Sequence, residues 1–456
     1  MNDPKLLEFG EKHLEVVLAL DGIVGGSGFY GHATTKELAD GFALGEDFLV
    51  KNSPLWTDPQ AVEIRTKAGA GEDTTELRKD FAKRINPRER VQDLIAAAKG
   101  IKNPYQRKVR LDQANSLATV TDVLLTDIGL EKTSLNYVDA LVSITGVSPP
   151  LIPTDDYMQT YKGKLLKLMG ASNESLAEAA KKWREGIGLL SKKEMGKAYR
   201  RSAKLMIDIL KRNGLPRDFV LKVEILKDAP FLGFFAYGNK AGDFYGETCM
   251  VESDTKCIFD IIHTSTHELT GHDFLDALWH DYARRTGDLY PAVGAMACNQ
   301  AVLHEGFANC AADVFADDLG YLFDNISFGV ERMSPKDLRR NLSISAGLER
   351  LAMTSIGYVA ARFFHRKDID VPGMEKEYIK FGVDTDRAAS RAKHMGQAKN
   401  LLHPYCYFGP GYYPGMAVVE KIVERYGKQG TIDRMCSDLG PCSLSTLNGG
   451  DIAVIG

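Results

Sequence analysis

His267-Glu268-Leu269-Thr270-Gly271-His272, followed 33 positions after its second histidine by Glu305, is the stretch on which the reading of this chain turns. It offers two imidazoles, a carboxylate beside the first of them, and a second carboxylate on a later segment. These are the parts from which a zinc site with three protein ligands is built, with a fourth position left for water and a base next to it. The histidines are five apart. On a regular α-helix that spacing separates them by about 140°, too wide for one ion. A local π-turn closes i to i+5 and returns them toward one face. Gly271 sits where a residue without Cβ tolerates unusual backbone angles. The spacing therefore predicts a helix with a π-bulge at Thr270–Gly271.

The surroundings favour a buried site. Four of the ten histidines (His263, His267, His272 and His280) fall within 18 positions. Asp260-Ile261-Ile262 before them and Phe274-Leu275 after His272 are largely apolar. Val302-Leu303-His304-Glu305-Gly306-Phe307-Ala308-Asn309 reads as a second apolar helix with one acid in its middle. Ionisable groups on buried helices need partners, and a metal ion is one.

These residues carry a family resemblance. His267-Glu268-x-x-Gly271-His272 resembles the HExxGH signature of the dipeptidyl peptidase III family. Leu303-His304-Glu305-Gly306-Phe307-Ala308 resembles the EGWA motif of a group of all-helical bacterial gluzincin-like proteins, which pair it with HExxPGHH. The stretch from Lys222-Val223-Glu224-Ile225 through Pro230-Phe231 to Phe235-Ala236-Tyr237 is similar to that group, as is Gly411-Tyr412-Tyr413-Pro414-Gly415. The last segment is also similar to the tyrosine-bearing stretch of carboxypeptidase Taq. The chain departs from HExxPGHH in lacking its proline and its doubled histidine.

The resemblance implies a gluzincin-type zinc metallopeptidase. His267, His272 and Glu305 would hold one Zn2+ per chain. Glu268 would be the general base that takes a proton from water and returns it to the leaving amine. Asn309 and Asp276, each one turn from a ligand, would steady the ligands by hydrogen bonds. His263, one turn before His267, would touch substrate, serve as an extra ligand or, the commoner outcome, make a backbone hydrogen bond. His304 would point about 100° away from Glu305 and pack elsewhere. His280 reads as a surface residue. An oxyanion donor is also required. His403-Pro404-Tyr405-Cys406-Tyr407-Phe408-Gly409-Pro410-Gly411-Tyr412-Tyr413-Pro414-Gly415 reads as a loop of rigid aromatics, because its glycines and prolines oppose a regular helix. Tyr412 is the favoured donor, with Tyr413, Tyr407 and His403 as further substrate contacts.

The substrate expected is a peptide or small amide. The same constellation serves an amide or ester hydrolase or a metal lyase on another small molecule. A metal-binding or structural protein without activity is the remaining class, disfavoured by Glu268 beside a ligand.

Composition sets outer bounds. The 456 residues are 44% hydrophobic and 26% charged, with a formal net charge of −4. The basic residues gather in no tract, so nucleic acid is not expected. No apolar run reaches the roughly 18 residues that cross a membrane. Met1-Asn2-Asp3-Pro4-Lys5 carries no apolar core, so a signal peptide is not expected, and the seven cysteines form no CxxC pair. Cys436 and Cys442 flank a Leu439-Gly440-Pro441 turn and would stay reduced in the expected cytoplasmic setting.

Helical patterns dominate the rest. After an amphipathic N-terminal stretch and the glycine-rich 22–31, residues 35–50, 76–100 and 105–130 read as helices, with Pro54–Gly71 as a loop. Ser148-Pro149-Pro150-Leu151-Ile152-Pro153-Thr154 is the candidate linker between an N-terminal helical part (1–150) and a catalytic part (151–456). Residues 174–213 read as a helical pair that stops at Asn213-Gly214-Leu215-Pro216. Residues 219–251 form the strand region, with alternating Phe219–Ile225 and glycine turns. Helices follow over 335–366, 386–402 and 414–427. The expected fold is mainly α (α+β), a large helical protein with a small sheet before the metal-binding helix and the site in a cleft.

Overall fold

The computed structural model describes residues 4–24, 55, 58–132, 136–215, 219–226, 233–240, 243–251, 255–295, 298–319, 333–397, 404–437 and 440–448. It is mainly helical with a small sheet. In chain order the principal elements are α1 (Pro4–Val24), α2 (Pro59–Gly69), α3 (Thr75–Ile85), α4 (Pro87–Lys99), α5 (Pro104–Asp127), α6 (Tyr137–Thr145), α7 (Asp155–Met169), α8 (Leu176–Ile187) and α9 (Lys192–Arg212). Strands β1 (Phe219–Leu226), β2 (Gly233–Lys240) and β3 (Asp243–Val251) follow. Then come α10 (Ile258–Ser265), a π-helix (Thr266–Asp273), α11 (Phe274–Thr286), α12 (Asn299–Val314), α13 (Pro335–Ala360), α14 (Val371–Lys380), α15 (Thr385–Gln397) and α16 (Pro404–Met435). A two-residue hairpin pairs Cys436–Ser437 with Gly440–Pro441, and α17 (Leu444–Asn448) follows it.

Local chemistry sets many boundaries. Asp58, Asn103, Thr154 and Ser334 cap the helices that follow them by accepting first-turn backbone N–H bonds. Ser175 and Ser191 form capping boxes with Glu178 and Glu194. The expected helix over 76–100 is two helices, because Asn86 adopts φ 46° and Pro87 restarts the chain as a first-turn proline. The expected loop over Pro54–Gly71 contains α2, started by the Asp58 cap and Pro59. The strand region falls where the alternation placed it. The sheet order is β1-β3-β2, with β1 parallel to β3 (Phe219 opposite Phe244) and β2 antiparallel to it (Gly233 opposite Met250). The expected helix over 35–50 lies outside the described residues.

The core has three parts. One surrounds α1–α5 and takes in Leu289, Tyr290, Val293, Cys298 and Ala301. A second joins α6–α8 to α13–α15. The third encloses α9–α12 and α16, and the candidate site lies within it. Its axis is one continuous rod, Ile258–Thr286, in which α10, the π-helix and α11 follow without a break. The π-helix runs for eight residues rather than one bulged turn. Hydroxyls accompany the wider winding: Ser265, Thr266 and Thr270 each donate to the carbonyl four residues back, at 2.6–2.8 Å.

Two glycines let the site helices meet. A Cβ on Gly271 would stand 2.5 Å from Cα and 2.6 Å from Cβ of Ala308 on α12. Close approach, rather than unusual dihedrals, is therefore what Gly271 supplies. A Cβ on Gly306 would stand 2.6 Å from Cα of Gly415 on α16. That contact explains why 404–415 is not the expected loop. From Pro404 onward the backbone is helical, with Pro404 at the start and Gly411 and Gly415 packed on Val302 and Gly306. Packing against α12 overrides the local bias of the glycines and prolines. Gly306→Ala is expected to destabilise the fold by about 1–3 kcal/mol through overpacking, read as a lower denaturant midpoint; an unchanged midpoint would contradict the close packing.

Candidate metal centre

The widened winding does what the histidine spacing demanded. The rings of His267 and His272 face one another at 4.9 Å between centroids, 82° between planes. Glu305, from the middle of α12, reaches across. Its Oε2 lies 3.7 Å from Nε2 of His267 and its Oε1 3.6 Å from Nε2 of His272. Ligand atoms of His267, Glu268 and His272 all lie within 4.8 Å of one another. Two carboxylates thus face one imidazole pair, and Glu305 approaches it with a separate oxygen for each ring.

The donor set fits a divalent ion of borderline softness. Donors about 2.0–2.1 Å from one zinc ion in tetrahedral geometry stand about 3.3–3.4 Å apart. The observed nitrogen–oxygen spacings are a few tenths of an ångström wider. Burial, with His263 beside it, lowers the His267 imidazole to about 4, so its ring is neutral at pH 7 and able to ligate. Burial raises Glu268 to about 8, with the negative charge of Glu349 adding to it. Burial, then Glu268 and Glu349, likewise pushes Glu305 well above the usual carboxylate range. A cation held between them would offset the cost of burying two carboxylates and would leave Glu268 ionised at pH 7.

The supporting residues differ in part from expectation. Asn309 donates through Nδ2 to the Glu305 carbonyl at 2.8 Å and approaches Glu305 Oε2 at 3.5 Å, where sequence spacing put it. Asp276 instead faces His304, Oδ1 to Nδ1 3.4 Å. His304 in turn lies parallel to His272 at 6.5 Å and edge-on to Trp279 at 4.6 Å. His304 therefore packs close to the centre, against Asp276 on one side and alongside the His272 ring. His280 is buried, not at the surface, because it lies on the face of α11 that packs into the core with Trp279 and Ala283, while Arg284 and Arg285 stay exposed. His263 is buried too, yet neither ring nitrogen has a hydrogen-bond partner, so the backbone bond considered for it is not made.

The two tyrosines of α16 separate. Tyr412 lies in the field of Glu305 as well as Arg391, Arg387 and Glu349, and burial pushes its phenol well up. Tyr413 faces Tyr157, edge-on at 5.1 Å, and feels Glu420. Of Tyr407 the backbone alone is described, on α16, and His403 lies outside the described residues. Sequence reasoning passed over Glu349 on α13, Arg387 and Arg391 on α15, and Lys256 before α10. The signal available was Arg387 and Arg391 at i and i+4, and an acid within the apolar run of α13.

No described helix is long and apolar enough to cross a membrane. No family model matches the sequence, and no curated protein matches it. Solved structures are similar in fold. A candidate lipoprotein from Colwellia psychrerythraea aligns with TM-score 0.51 and 13% identity, over 79% of this chain and 65% of that one. The chain thus spans just under two thirds of that protein's length. A candidate lipoprotein of unknown function from Shewanella oneidensis aligns with TM-score 0.47 and 12% identity, over 94% and 82%. Trypanosoma cruzi metallocarboxypeptidase 1 aligns with TM-score 0.36 and 11% identity, over 98% and 88%. The first of these likenesses concerns the fold alone: this chain shares a mainly helical architecture with the Colwellia protein.

Proposed function

We propose that the protein is a metal-dependent hydrolase, a peptidase acting on small peptides, with one Zn2+ held by His267, His272 and Glu305. The observation that carries this reading is the meeting of two imidazoles from one widened helix with a carboxylate from the next, at 3.6 and 3.7 Å. A bound divalent cation supplies Lewis acidity, making water a better nucleophile and polarising a carbonyl.

The chain supplies the rest. Glu268, beside His267, accepts the proton of the attacking water and passes it to the departing amine nitrogen. The imidazoles and Glu305 fix where the reacting carbonyl stands. Asn309 steadies Glu305 from one turn away. Tyr412 donates its hydroxyl proton in a hydrogen bond to the oxygen that gains charge as water adds. Its field is shared with Glu305, which supports its being on the reacting side of α16.

The test is hydrolysis of a mixed library of short peptides by the zinc-supplemented protein, with products read by mass spectrometry. New termini that appear with the wild type and not with Glu268→Gln support the reading; no cleavage by stoichiometrically metallated protein overturns it. Tyr412→Phe is expected to lower kcat by about 10²–10³-fold, the loss that follows removal of one oxyanion donor, with KM changed far less. An unchanged kcat would remove Tyr412 from this role.

A further inference from the structure

The helix that backs the candidate metal centre carries a charge pattern the hydrolase reading does not use. α9 (Lys192–Arg212) holds eight lysines and arginines against two acids, while the whole chain holds 57 against 61. In sequence these cations are interrupted by apolar residues and form no tract. The helix gathers them. At about 100° per residue, Lys193, Lys197, Arg200, Arg201, Lys204 and Lys211 fall within a sector of about 100°, and Arg212 extends it. All of them are exposed. The opposite face, with Met195, Tyr199, Met206 and Ile209, is buried in the part of the core that holds the metal centre. There the Thr266 hydroxyl of the π-helix donates to Sδ of Met206 at 3.8 Å. The cations thus form a stripe about 28 Å long on the outer side of α9.

This stripe lacks the pairing seen on other surface helices. Lys67 with Glu63 on α2, Lys79 with Glu76 on α3 and Arg285 with Asp281 on α11 are ion pairs of 2.6–2.8 Å, each within one turn. On α9 cation faces cation. Lys193 and Lys197, Lys197 and Arg201, and Arg200 and Lys204 are each four apart, the spacing at which like charges destabilise a helix. Lys192 and Lys193 also stand in the first turn, where the helix dipole disfavours positive charge. Of the two acids, Glu194 is turned to the helix start, where it accepts from the Ser191 backbone N–H at 2.9 Å and hydroxyl at 2.6 Å. Among the described residues, no carboxylate lies within ion-pair distance of Lys193, Lys197, Arg200, Lys204 or Lys211. An external array of negative charge would relieve the repulsion along the whole stripe.

We propose that this face of α9 docks the protein on an anionic lipid surface. A bilayer offers a flat array of negative headgroups that a straight stripe meets along its full length. Each lysine or arginine within a Debye length adds to the attraction. Leu189, in the turn before the Ser191 cap, is 47% exposed and is held in place by a bridge to Cys257. It puts an apolar side chain at the end of the stripe, where it can enter the headgroup layer. Nucleic acid fits the stripe less well. Tyr199, the one aromatic residue of α9, is buried, so no ring is offered for a base to stack on. The helix also has no Asn or Gln to read an adenine edge. The acidic remainder of the chain, repelled by the same surface, turns α9 toward it. The contact is adsorption rather than insertion, and it leaves the metal ligands on the far side of the helix.

The test is partition of the full chain onto sedimenting vesicles of phosphatidylcholine, alone or with about 30% phosphatidylserine, at about 0.05 M and about 0.5 M salt. In low salt the protein is expected to bind the anionic vesicles at least about 100-fold more tightly than the neutral ones, and to lose that preference in high salt. Lys197→Gln, Arg200→Gln and Lys204→Gln combined remove three charges and should weaken anionic binding by about 100-fold. Lys83→Gln, Lys99→Gln and Lys167→Gln, exposed cations elsewhere, should together change it by less than about threefold. Should the α9 triple variant fail to fold by thermal melting, Asp208→Lys adds to the stripe and should tighten binding by about 10–100-fold. Equal binding to the two kinds of vesicle overturns the proposal. So does anionic binding that the triple variant retains or that Asp208→Lys leaves unchanged. Tighter binding to a DNA duplex than to vesicles of equal accessible phosphate, lost in the same triple variant, also overturns it and assigns the stripe to nucleic acid. None of these readouts involves zinc or turnover, so they stand apart from the hydrolase reading.

Discussion

Glu268→Gln is expected to keep one zinc ion per chain and to slow hydrolysis by about 10²–10⁴-fold, the range general-base catalysis supplies. The amide has nearly the size of the carboxylate, so packing of the buried side chain is preserved. It cannot accept a proton. Glu268 lies within 4.8 Å of both imidazoles, while Glu305 comes closer to each, so removing the Glu268 charge removes no proposed ligand. Zinc content by mass spectrometry and turnover of a cleaved peptide, measured on one preparation, check both halves. Full activity would strip Glu268 of the role. Lost zinc would make it a ligand instead.

Glu305→Ala is expected to act the other way round, lowering zinc affinity by more than the roughly 10–100-fold that loss of an outer hydrogen-bond partner costs. Two imidazoles would remain, with no carboxylate bridging them. The substitution also removes a buried acid whose carboxyl is pushed well up by burial and by Glu268 and Glu349. The zinc-free variant should therefore be no less stable than the zinc-free wild type, and circular dichroism melts would show it. The contrast between unchanged folding and lost metal is what separates a ligand from a packing residue. An unaltered zinc affinity would move the third ligand elsewhere.

The parts of the fold that were legible are those governed by local chemistry. Caps, helix stops at Asn213-Gly214 and the alternation of Phe219–Ile225 act over a few residues, and the elements lie where they indicate. The five-residue histidine spacing likewise carried its own geometric consequence, a π-helix. What was not legible depends on partners distant in sequence. The glycines and prolines of 404–415 read as loop-forming, and only contact with Val302 and Gly306 makes them helical. His280 reads as surface until the packed face of α11 is seen to include it. Asp276 was placed against a ligand by its one-turn spacing, yet His304 from another helix intercepts it. Glu349, Arg387 and Arg391 bear no motif, and their meeting near Tyr412 and Glu305 follows from the packing of α13, α15 and α16.

Zinc K-edge X-ray absorption on the protein loaded with one equivalent of zinc tests the central claim most directly. The account predicts a shell of light donors at about 2.0–2.1 Å, with the multiple-scattering signature of two imidazoles and none of sulfur. Zinc lost on dialysis, or a spectrum with fewer than two imidazoles, would contradict it.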